Sequence, residues 1–173
     1  MPGPGSPVLI VFGGLPGTGK TTIARELTQR LSANYVRIDA IEQSLRTAGL
    51  AVGATGYVIA NEIAAENLKL GRVVVADCVN PVLASREGWR ATASKNAAQL
   101  VEIEIVCSDA GEHRRRVEDR APDIAGLVQP SWQDVVNRAY EPWDRKHLVL
   151  DTATSSVEQL VDRIESLIRD KGR

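Results

Sequence analysis

Short apolar runs alternate with helix-like segments along almost the whole chain. Apolar side chains recur at helical spacing between the runs, and glycine, proline or a capping residue stands at most boundaries. This alternation is typical of an α/β fold in which parallel strands are covered by helices on both faces. The apolar runs predict five strands, at residues 8–12, 34–38, 73–76, 101–107 and 148–150. The intervening segments predict helices at residues 22–31, 40–46, 57–70 and 83–98, and further helices that begin at Asp109, Ser131 and Ser155.

The loop between the first predicted strand and the first predicted helix reads Gly-Leu-Pro-Gly-Thr-Gly-Lys-Thr. It fits G-x-x-x-x-G-K-S/T, the phosphate-binding P-loop, in the strand–loop–helix context that this motif requires. The glycines let successive N–H groups face phosphate oxygens, Lys20 adds a positive charge, and the Thr21 hydroxyl can bind Mg²⁺. A plain glycine-rich turn would not need the lysine and the threonine in register. The predicted nucleoside triphosphate site comprises Gly14, Leu15, Pro16, Gly17, Thr18, Gly19, Lys20, Thr21 and Thr22.

Two aspartates stand where predicted strands end, at the sheet edge that also carries the P-loop. Asp77 follows the third strand as in a Walker B motif and is a predicted Mg²⁺ ligand, together with the P-loop threonine. Its alternative role is to cap the turn at Asn80. Asp39 could accept a proton from a substrate hydroxyl, or it could be the N-cap of the helix at 40–46. Because ligands of parallel sheets bind at the carboxyl ends of strands, we expect these groups to converge on one site.

Four arginines are concentrated in residues 113–120. On a helix Arg116 and Arg120 share a face, so we predict that both reach over a bound triphosphate and stabilise charge on the transferring group. Arg114 and Arg115 point elsewhere, and a solvated face is the better interpretation for these two.

Other large side chains have less specific patterns. The helical spacing of Trp132, Tyr140 and Trp143 predicts that they pack the helix that contains them. Arg86 and Arg90 either line the site or face solvent, and the sequence pattern does not distinguish these positions.

The 173 residues suffice for one domain, and 43% hydrophobic and 25% charged residues are typical of a globular protein. With a net charge of −1, the protein has no overall electrostatic field that would attract it to nucleic acid or to an anionic membrane. Two cysteines, Cys78 and Cys107, lack metal-ligand spacing, which favours a reduced, cytoplasmic protein. Residues 1–7 have neither the basic region nor the apolar length of a signal peptide or a membrane span. We predict a disordered lead-in at residues 1–7 and a single domain at residues 8–173.

The P-loop, the aspartate after the second strand, the stretch Asp77-Cys78-Val79-Asn80 and the arginine-rich helix resemble the small P-loop kinases. This group includes chloramphenicol phosphotransferase, gluconate kinase, adenylyl-sulfate kinase and the kinase domain of polynucleotide kinase. The pattern spans nearly the whole chain in order, and the P-loop is its only motif that is specific by itself.

The resemblance implies a three-layer P-loop NTPase fold with a five-stranded parallel sheet in the order 2-3-1-4-5. It also implies a mobile, arginine-bearing lid after the fourth strand, at about residues 109–130. ATP and Mg²⁺ are the implied cofactors, and Asp39 is the implied general base. The other site residues that it implies are Lys20, Arg116 and Arg120 at the phosphates and Asn80 near the substrate.

One departure from the family pattern bears on the substrate. Related kinases often carry an arginine three residues after the base aspartate, where it can hold an anionic substrate, whereas this chain has Glu42. A carboxylate there would repel a phosphate and could accept hydrogen bonds from hydroxyls or an amine. The hypothesis is therefore a neutral or amine-bearing alcohol, such as a sugar, an aminosugar or an antibiotic. Arg46, one turn further on, could restore anion binding.

The leading interpretation is an ATP-dependent phosphotransferase that acts on a hydroxyl of a small molecule. Phosphorylation of a polynucleotide end is the second interpretation, although the chain lacks a stripe of aromatic and basic residues. The Asn-Lys-x-Asp motif expected of a GTPase is absent, and Cys78 stands where many P-loop ATPases have a glutamate. A nucleotide-binding regulatory module without transfer activity stays open.

Overall fold

The computed structural model describes residues 6–171, so most of the predicted lead-in lies outside the described residues. The strands are β1 (Val8–Gly13), β2 (Asn34–Arg37), β3 (Val73–Asp77), β4 (Gln99–Val106) and β5 (Leu148–Asp151). All neighbouring strands pair in parallel, in the order β2-β3-β1-β4-β5, which confirms the predicted sheet.

Helices connect the strands and cover both faces of the sheet. They are α1 (Lys20–Leu31), α2 (Ile38–Thr47), α3 (Thr55–Lys69), α4 (Leu83–Lys95), α5 (Ala110–Asp119), α6 (Trp132–Val136) and α7 (Val157–Lys171). In the described part of the chain, none of these helices has the length and apolar character needed to cross a membrane.

The central strand β1 is buried along its whole length and divides the core into two layers. Successive side chains of a strand point to opposite faces, so alternate residues enter different clusters. Ile10 and Phe12 pack with apolar residues of α1 and α7, whereas Leu9 and Val11 pack with those of α2, α3 and α4. The result is the predicted three-layer sandwich, with the P-loop at the carboxyl end of its middle strand.

The boundary between β2 and α2 lies earlier than the sequence predicts. The strand ends at Arg37, and Ile38 already begins the helix, so Asp39 lies in the first helical turn. The N-cap position belongs to Arg37, and no side chain caps this helix. The alternative role of Asp39 as an N-cap is therefore wrong.

Two other helix boundaries also depart from the prediction. The helix predicted at 83–98 ends at Lys95, because Ala97 adopts a left-handed conformation with φ of 49°. The last helix is capped one residue later than expected. Its cap is Ser156, whose N–H donates to Oε1 of Gln159 at 2.9 Å and whose hydroxyl accepts from the Gln159 N–H at 3.3 Å.

The prediction that one helix carries Trp132, Tyr140 and Trp143 is also wrong, because α6 ends at Val136. Tyr140 and Trp143 lie in an irregular segment, where they flank the guanidinium of Arg86. The Arg86 carbon Cζ is 4.3 Å from the centre of the Trp143 ring and 5.4 Å from that of Tyr140. The helical spacing of these aromatic residues gave a wrong prediction because Tyr140 and Trp143 pack against the Arg86 guanidinium and not along one face of a helix.

Arg86 is fully buried and forms hydrogen bonds both to this irregular segment and to the turn before α4. Its guanidinium donates to four backbone carbonyl oxygens, at distances between 2.7 and 3.4 Å. Arg90 is also buried, and it pairs with Glu102, Glu87 and Asp144. Both arginines therefore have structural roles and do not line the site.

We expect Arg86→Ala to lower the free energy of unfolding by about 3–5 kcal/mol, because it leaves buried carbonyl oxygens without donors and opens a cavity. Urea denaturation followed by circular dichroism measures this loss. The matched change Arg114→Ala removes an exposed arginine that pairs only with Glu118 in the described residues, and it should leave stability almost unchanged. Equal stability of the two variants would contradict the structural role of Arg86.

Candidate active site

The P-loop curls around the carboxyl end of β1 in a conformation that requires glycine. Gly14 has φ of +132° and Gly17 has φ of +81°, both in the left-handed region. A side chain at Gly14 would overlap the carbonyl oxygen of Ile105, and one at Gly17 would come within 2.5 Å of Val117. The loop is therefore packed tightly between β4 and α5 on its outer side, while its inner side faces the cleft.

Lys20 is the first residue of α1 and is buried at the floor of the loop. Its Nζ donates to the carbonyl oxygen of Leu15 at 2.8 Å, which holds the ammonium within the loop. Burial lowers the pKa of Lys20 to about 8, although the carboxylates of Asp77 and Asp39 act in the opposite direction. The ammonium thus lies in the position predicted for a phosphate-binding lysine, and in the free protein it loses its proton above about pH 8.

ATP binding should therefore weaken as the pH rises above about 8. The phosphates favour charged Lys20, so above its pKa the free protein must take up a proton to bind them. Because ATP binding is then coupled to the uptake of one proton, the Kd for ATP should rise by up to about tenfold per pH unit between about pH 8 and pH 10. Isothermal titration calorimetry from about pH 7 to pH 9.5 measures this slope. Lys20→Arg should abolish it, because arginine stays charged, and a flat profile for the unmodified protein would contradict the assignment.

Thr21 and Asp77 lie side by side, as predicted for two ligands of one Mg²⁺ ion. The Thr21 hydroxyl donates to Oδ2 of Asp77 at 2.7 Å, and the Tyr35 hydroxyl donates to the same oxygen at 2.6 Å. Within residues 6–171 no group of three or more His, Cys, Asp or Glu side chains forms a cage for a metal ion. A hydroxyl and a carboxylate oxygen fit Mg²⁺, which keeps several waters and binds one or two protein ligands together with substrate phosphates.

Asp39 projects from the first turn of α2 into the same cleft as the P-loop. Its side chain is 41% exposed and makes no hydrogen bond within the described residues, and its nearest cation is Arg37, at 3.8 Å. The carboxylate is close enough to Lys20 to affect its pKa. Asp39 is therefore an available proton acceptor beside the phosphate site.

Arg116 and Arg120 both line the cleft, although only Arg116 is helical. Arg116 donates to the hydroxyl of Thr152 at 2.8 Å and to its carbonyl oxygen at 3.3 Å, and Thr152 in turn donates to the P-loop carbonyl oxygen of Thr18. Arg120 follows the end of α5 and adopts an extended conformation. Its charge is near enough to lower the pKa of Lys20.

The neighbouring residues of α5 have other partners. Arg114 and Arg115 are exposed and pair with acidic residues of their own helix, in agreement with the predicted solvated face. His113 is buried, and its Nε2 is 2.8 Å from the carbonyl oxygen of Pro16, which fastens the helix to the P-loop.

The two predicted substrate residues differ in position. Glu42 lines the cleft, packs against Gly56 and pairs with Arg46 at 3.3 Å. Burial raises the pKa of Glu42, which Arg46 partly offsets. Because Arg46 compensates its charge, Glu42 gives less reason to exclude an anionic substrate than the sequence indicated.

Asn80, which was predicted to lie near the substrate, is not among the residues that line the cleft. It is fully buried in a left-handed turn with φ of 52°. Its side chain accepts from the Ser85 hydroxyl at 2.8 Å, and its N–H donates to the Tyr57 hydroxyl at 2.9 Å. The turn after β3 therefore uses this asparagine for its own conformation.

The structure adds residues to the site that the sequence analysis missed. Arg37, Tyr35, Asp123 and Thr152 lie at strand ends or in the segment after α5, and each contacts a predicted site residue or another member of this group. Arg37 stands at the end of β2, two residues before Asp39, so its position in the sequence could have predicted that it lies at the site. Asp123 and Thr152 carried no local signal.

One cleft of about 610 Å³ lies between the P-loop and the end of β2. Its P-loop side is formed by Pro16, Gly17, Gly19, Lys20, Thr21 and Thr22. Its opposite wall is formed by Arg37, Asp39, Glu42, Arg46, Asp123, Gln129, Asp134 and Arg138. The cleft thus offers a phosphate-binding end and a second, charged end.

Comparisons with known proteins agree with this arrangement. The family model AAA_33, described as an AAA domain, matches residues 9–142, which is more than half of the chain. The chain belongs to this family of P-loop kinases. A probable adenylyl-sulfate kinase of Aeropyrum pernix is 24% identical over 179 residues, which cover 94% of this chain and 92% of that protein.

Solved structures of P-loop kinase relatives share the fold. The Mycobacterium tuberculosis APS kinase in complex with AMPPNP and APS has a TM-score of 0.67 and 17% identity, over 96% of this chain and 99% of that one. Chaetomium thermophilum Kti12 in complex with ADP-AlF3 has a TM-score of 0.68 and 23% identity, over 91% of this chain and 97% of that one. This chain is therefore a nucleotide-binding domain of the P-loop kinase type, and the predicted family is confirmed.

Proposed function

We propose that this protein is an ATP- and Mg²⁺-dependent phosphotransferase that moves the γ-phosphate of ATP to a hydroxyl of a small molecule. The observation that carries the proposal is the carboxylate of Asp39. It lines the same cleft as the P-loop lysine, lacks a hydrogen bond within the described residues and lies 3.8 Å from Nη2 of Arg37. A base in that place can accept the proton of an alcohol that attacks the γ-phosphate.

The proposed reaction needs no covalent intermediate on the protein. The acceptor oxygen forms a bond to the γ-phosphorus, the bond between that phosphorus and the leaving ADP oxygen breaks, and the hydroxyl proton moves to Asp39. Loop amides and Lys20 hold the triphosphate, and Arg116 and Arg120 stabilise charge on the transferring group. Thr21 and Asp77 would hold Mg²⁺, which would supply positive charge to the triphosphate.

The residue after Asp77 supports transfer to an alcohol rather than to water. Cys78 is buried, and its thiol lies 3.1 Å from the carbonyl oxygen of Phe12. Burial raises the pKa of Cys78, so the thiol stays neutral and cannot serve as a base for water. Free Cys78 and Cys107 also support a reducing, cytoplasmic location as part of the proposal.

The proposal is tested by ADP formation with Mg²⁺ and ATP, with and without a panel of alcohols. The panel contains sugars, sugar acids, aminosugars, nucleosides, phosphorylated alcohols and 5′-hydroxyl oligonucleotides. We expect strong stimulation by one class of small alcohol. Stimulation by oligonucleotides alone would favour a polynucleotide kinase, and tight ATP binding without stimulation by any class would favour a regulatory module.

A further inference from the structure

Two arginines converge on one carboxylate at the charged end of the cleft. Nη1 and Nη2 of Arg37 donate to the two oxygens of Asp123 at 2.7 and 3.1 Å, and Nη2 of Arg25 donates to the same carboxylate at 2.9 Å. A planar fork of this kind matches carboxylate and phosphate groups. Arg37 holds the pKa of Asp123 down to about 2, so the carboxylate is charged at neutral pH.

Arg37 is a fixed part of the sheet edge, whereas its partner lies in an irregular segment. The Arg37 side chain is 5% exposed, and its buried Nε makes no hydrogen bond within the described residues but lies 3.8 Å from Oδ2 of Asp77. Asp123 is 34% exposed and lies between α5 and α6, where the chain has no helix or strand. Arg37 therefore forms a permanent cation at the site, and Asp123 is the partner that can be replaced.

The ion pair also separates two cavities. Arg25, Arg37 and Asp123 line the main cleft, and all three line a second cavity of about 370 Å³ between α2, α3 and this irregular segment. Displacement of Asp123 from Arg37 would therefore enlarge the space at the acceptor end of the cleft.

We propose that Arg37, with Arg25, forms the anion subsite of the phosphate acceptor, and that Asp123 occupies this subsite until the acceptor displaces it. The acceptor is then an alcohol that also carries a carboxylate or a phosphate group. This inference rests on the proposed phosphotransfer, and it replaces the neutral acceptor that Glu42 indicated.

The distances allow one small molecule to contact both groups. Nη2 of Arg37 is 3.8 Å from Oδ2 of Asp39. Since each hydrogen bond adds about 3 Å, the acceptor hydroxyl on Asp39 and the anion on Arg37 lie within roughly 10 Å of each other. Arg46, the alternative cation, is half-exposed and already pairs with Glu42 on its own helix.

The first test compares acceptors that have the same number of carbon atoms and are either neutral or carry a carboxylate or a phosphate group. Glycerol, glycerate and glycerol 3-phosphate form one series, and glucose, gluconate and glucose 6-phosphate form another. We expect kcat/KM to be highest for an anionic member, and Arg37→Gln to lower that value at least about 10-fold more than it lowers the value for the neutral member. Arg114→Gln on the exposed face of α5 is the control. Equal use of neutral and anionic members, or equal losses in Arg37→Gln, would overturn the inference and leave the phosphotransferase standing.

The second test does not depend on activity. The P-loop is saturated with Mg²⁺ and AMPPNP, and inorganic phosphate or acetate is titrated as the probe by calorimetry. Asp123→Asn removes the internal competitor and should tighten probe binding at least about tenfold, and the double variant Arg37→Gln/Asp123→Asn should lose this gain. The preference between phosphate and acetate distinguishes a phosphorylated acceptor from a carboxylic acid. Unchanged affinity in Asp123→Asn, or a gain that survives in the double variant, would overturn the inference, whereas inactivity with every alcohol would count against the proposed function.

Discussion

Asp39→Asn is expected to lower kcat for phosphoryl transfer by about 10²–10⁴-fold while it leaves the Kd of MgATP unchanged. Asparagine keeps the size of the side chain and its place in the first turn of α2, but it cannot accept the proton of the acceptor hydroxyl. The change removes only the 3.8 Å ion pair with Arg37, on a carboxylate that is 41% exposed, so the melting temperature should change little. Steady-state kinetics with a saturating acceptor measure the loss.

The control for this prediction is Asp119→Asn. Asp119 lines the same cleft, is exposed, and pairs only with Arg115 on its own helix among the described residues. The chemical change is identical, and turnover should be nearly unaffected. A loss of similar size in both variants would show that cleft charge, and not proton transfer at Asp39, determines the rate.

Lys20→Met is expected to lower kcat/KM for ATP by about 10²–10³-fold, because it removes a preorganised cation from the transferring phosphates. The same change should not destabilise the free protein. Lys20 is a buried cation whose pKa burial depresses, so an apolar side chain of similar length relieves a desolvation cost. Thermal unfolding should give a melting temperature equal to or above that of the unmodified protein.

Lys69→Met provides the matched change at an exposed site, where the lysine pairs with Glu66 on the surface of α3. It should affect neither catalysis nor stability appreciably. A lower melting temperature in Lys20→Met, together with weak activity, would indicate that Lys20 holds the loop together and that the loss of activity is indirect.

The sequence predicted the parts of the site that depend on local pattern. The P-loop has a fixed spacing of glycine, lysine and threonine, and the apolar run before Asp77 is long enough to define a buried strand. Since parallel strands end at one edge, Asp77 and the P-loop could be placed together without coordinates. The sheet order came from the family resemblance, and the structure confirms it.

The parts that the sequence missed depend on contacts between distant residues. Arg37 and Asp123 are separated by 86 positions, and nothing in either neighbourhood shows that they pair. The aromatic residues after α6 have helical spacing, yet the buried guanidinium of Arg86 draws them into an irregular segment. The resemblance implied that Asn80 lies near the substrate, and the structure adds that this asparagine adopts a left-handed conformation in the turn after β3, which no local pattern indicated.

In the proposed reaction the γ-phosphate is transferred to an alcohol and not to water. The most direct measurement is ³¹P NMR of the products formed from ATP, Mg²⁺ and the stimulating acceptor. We expect one phosphate ester for each ADP formed, and loss of that ester in Asp39→Asn. Formation of ADP with free phosphate only, at the same rate with or without acceptor and in both proteins, would contradict it.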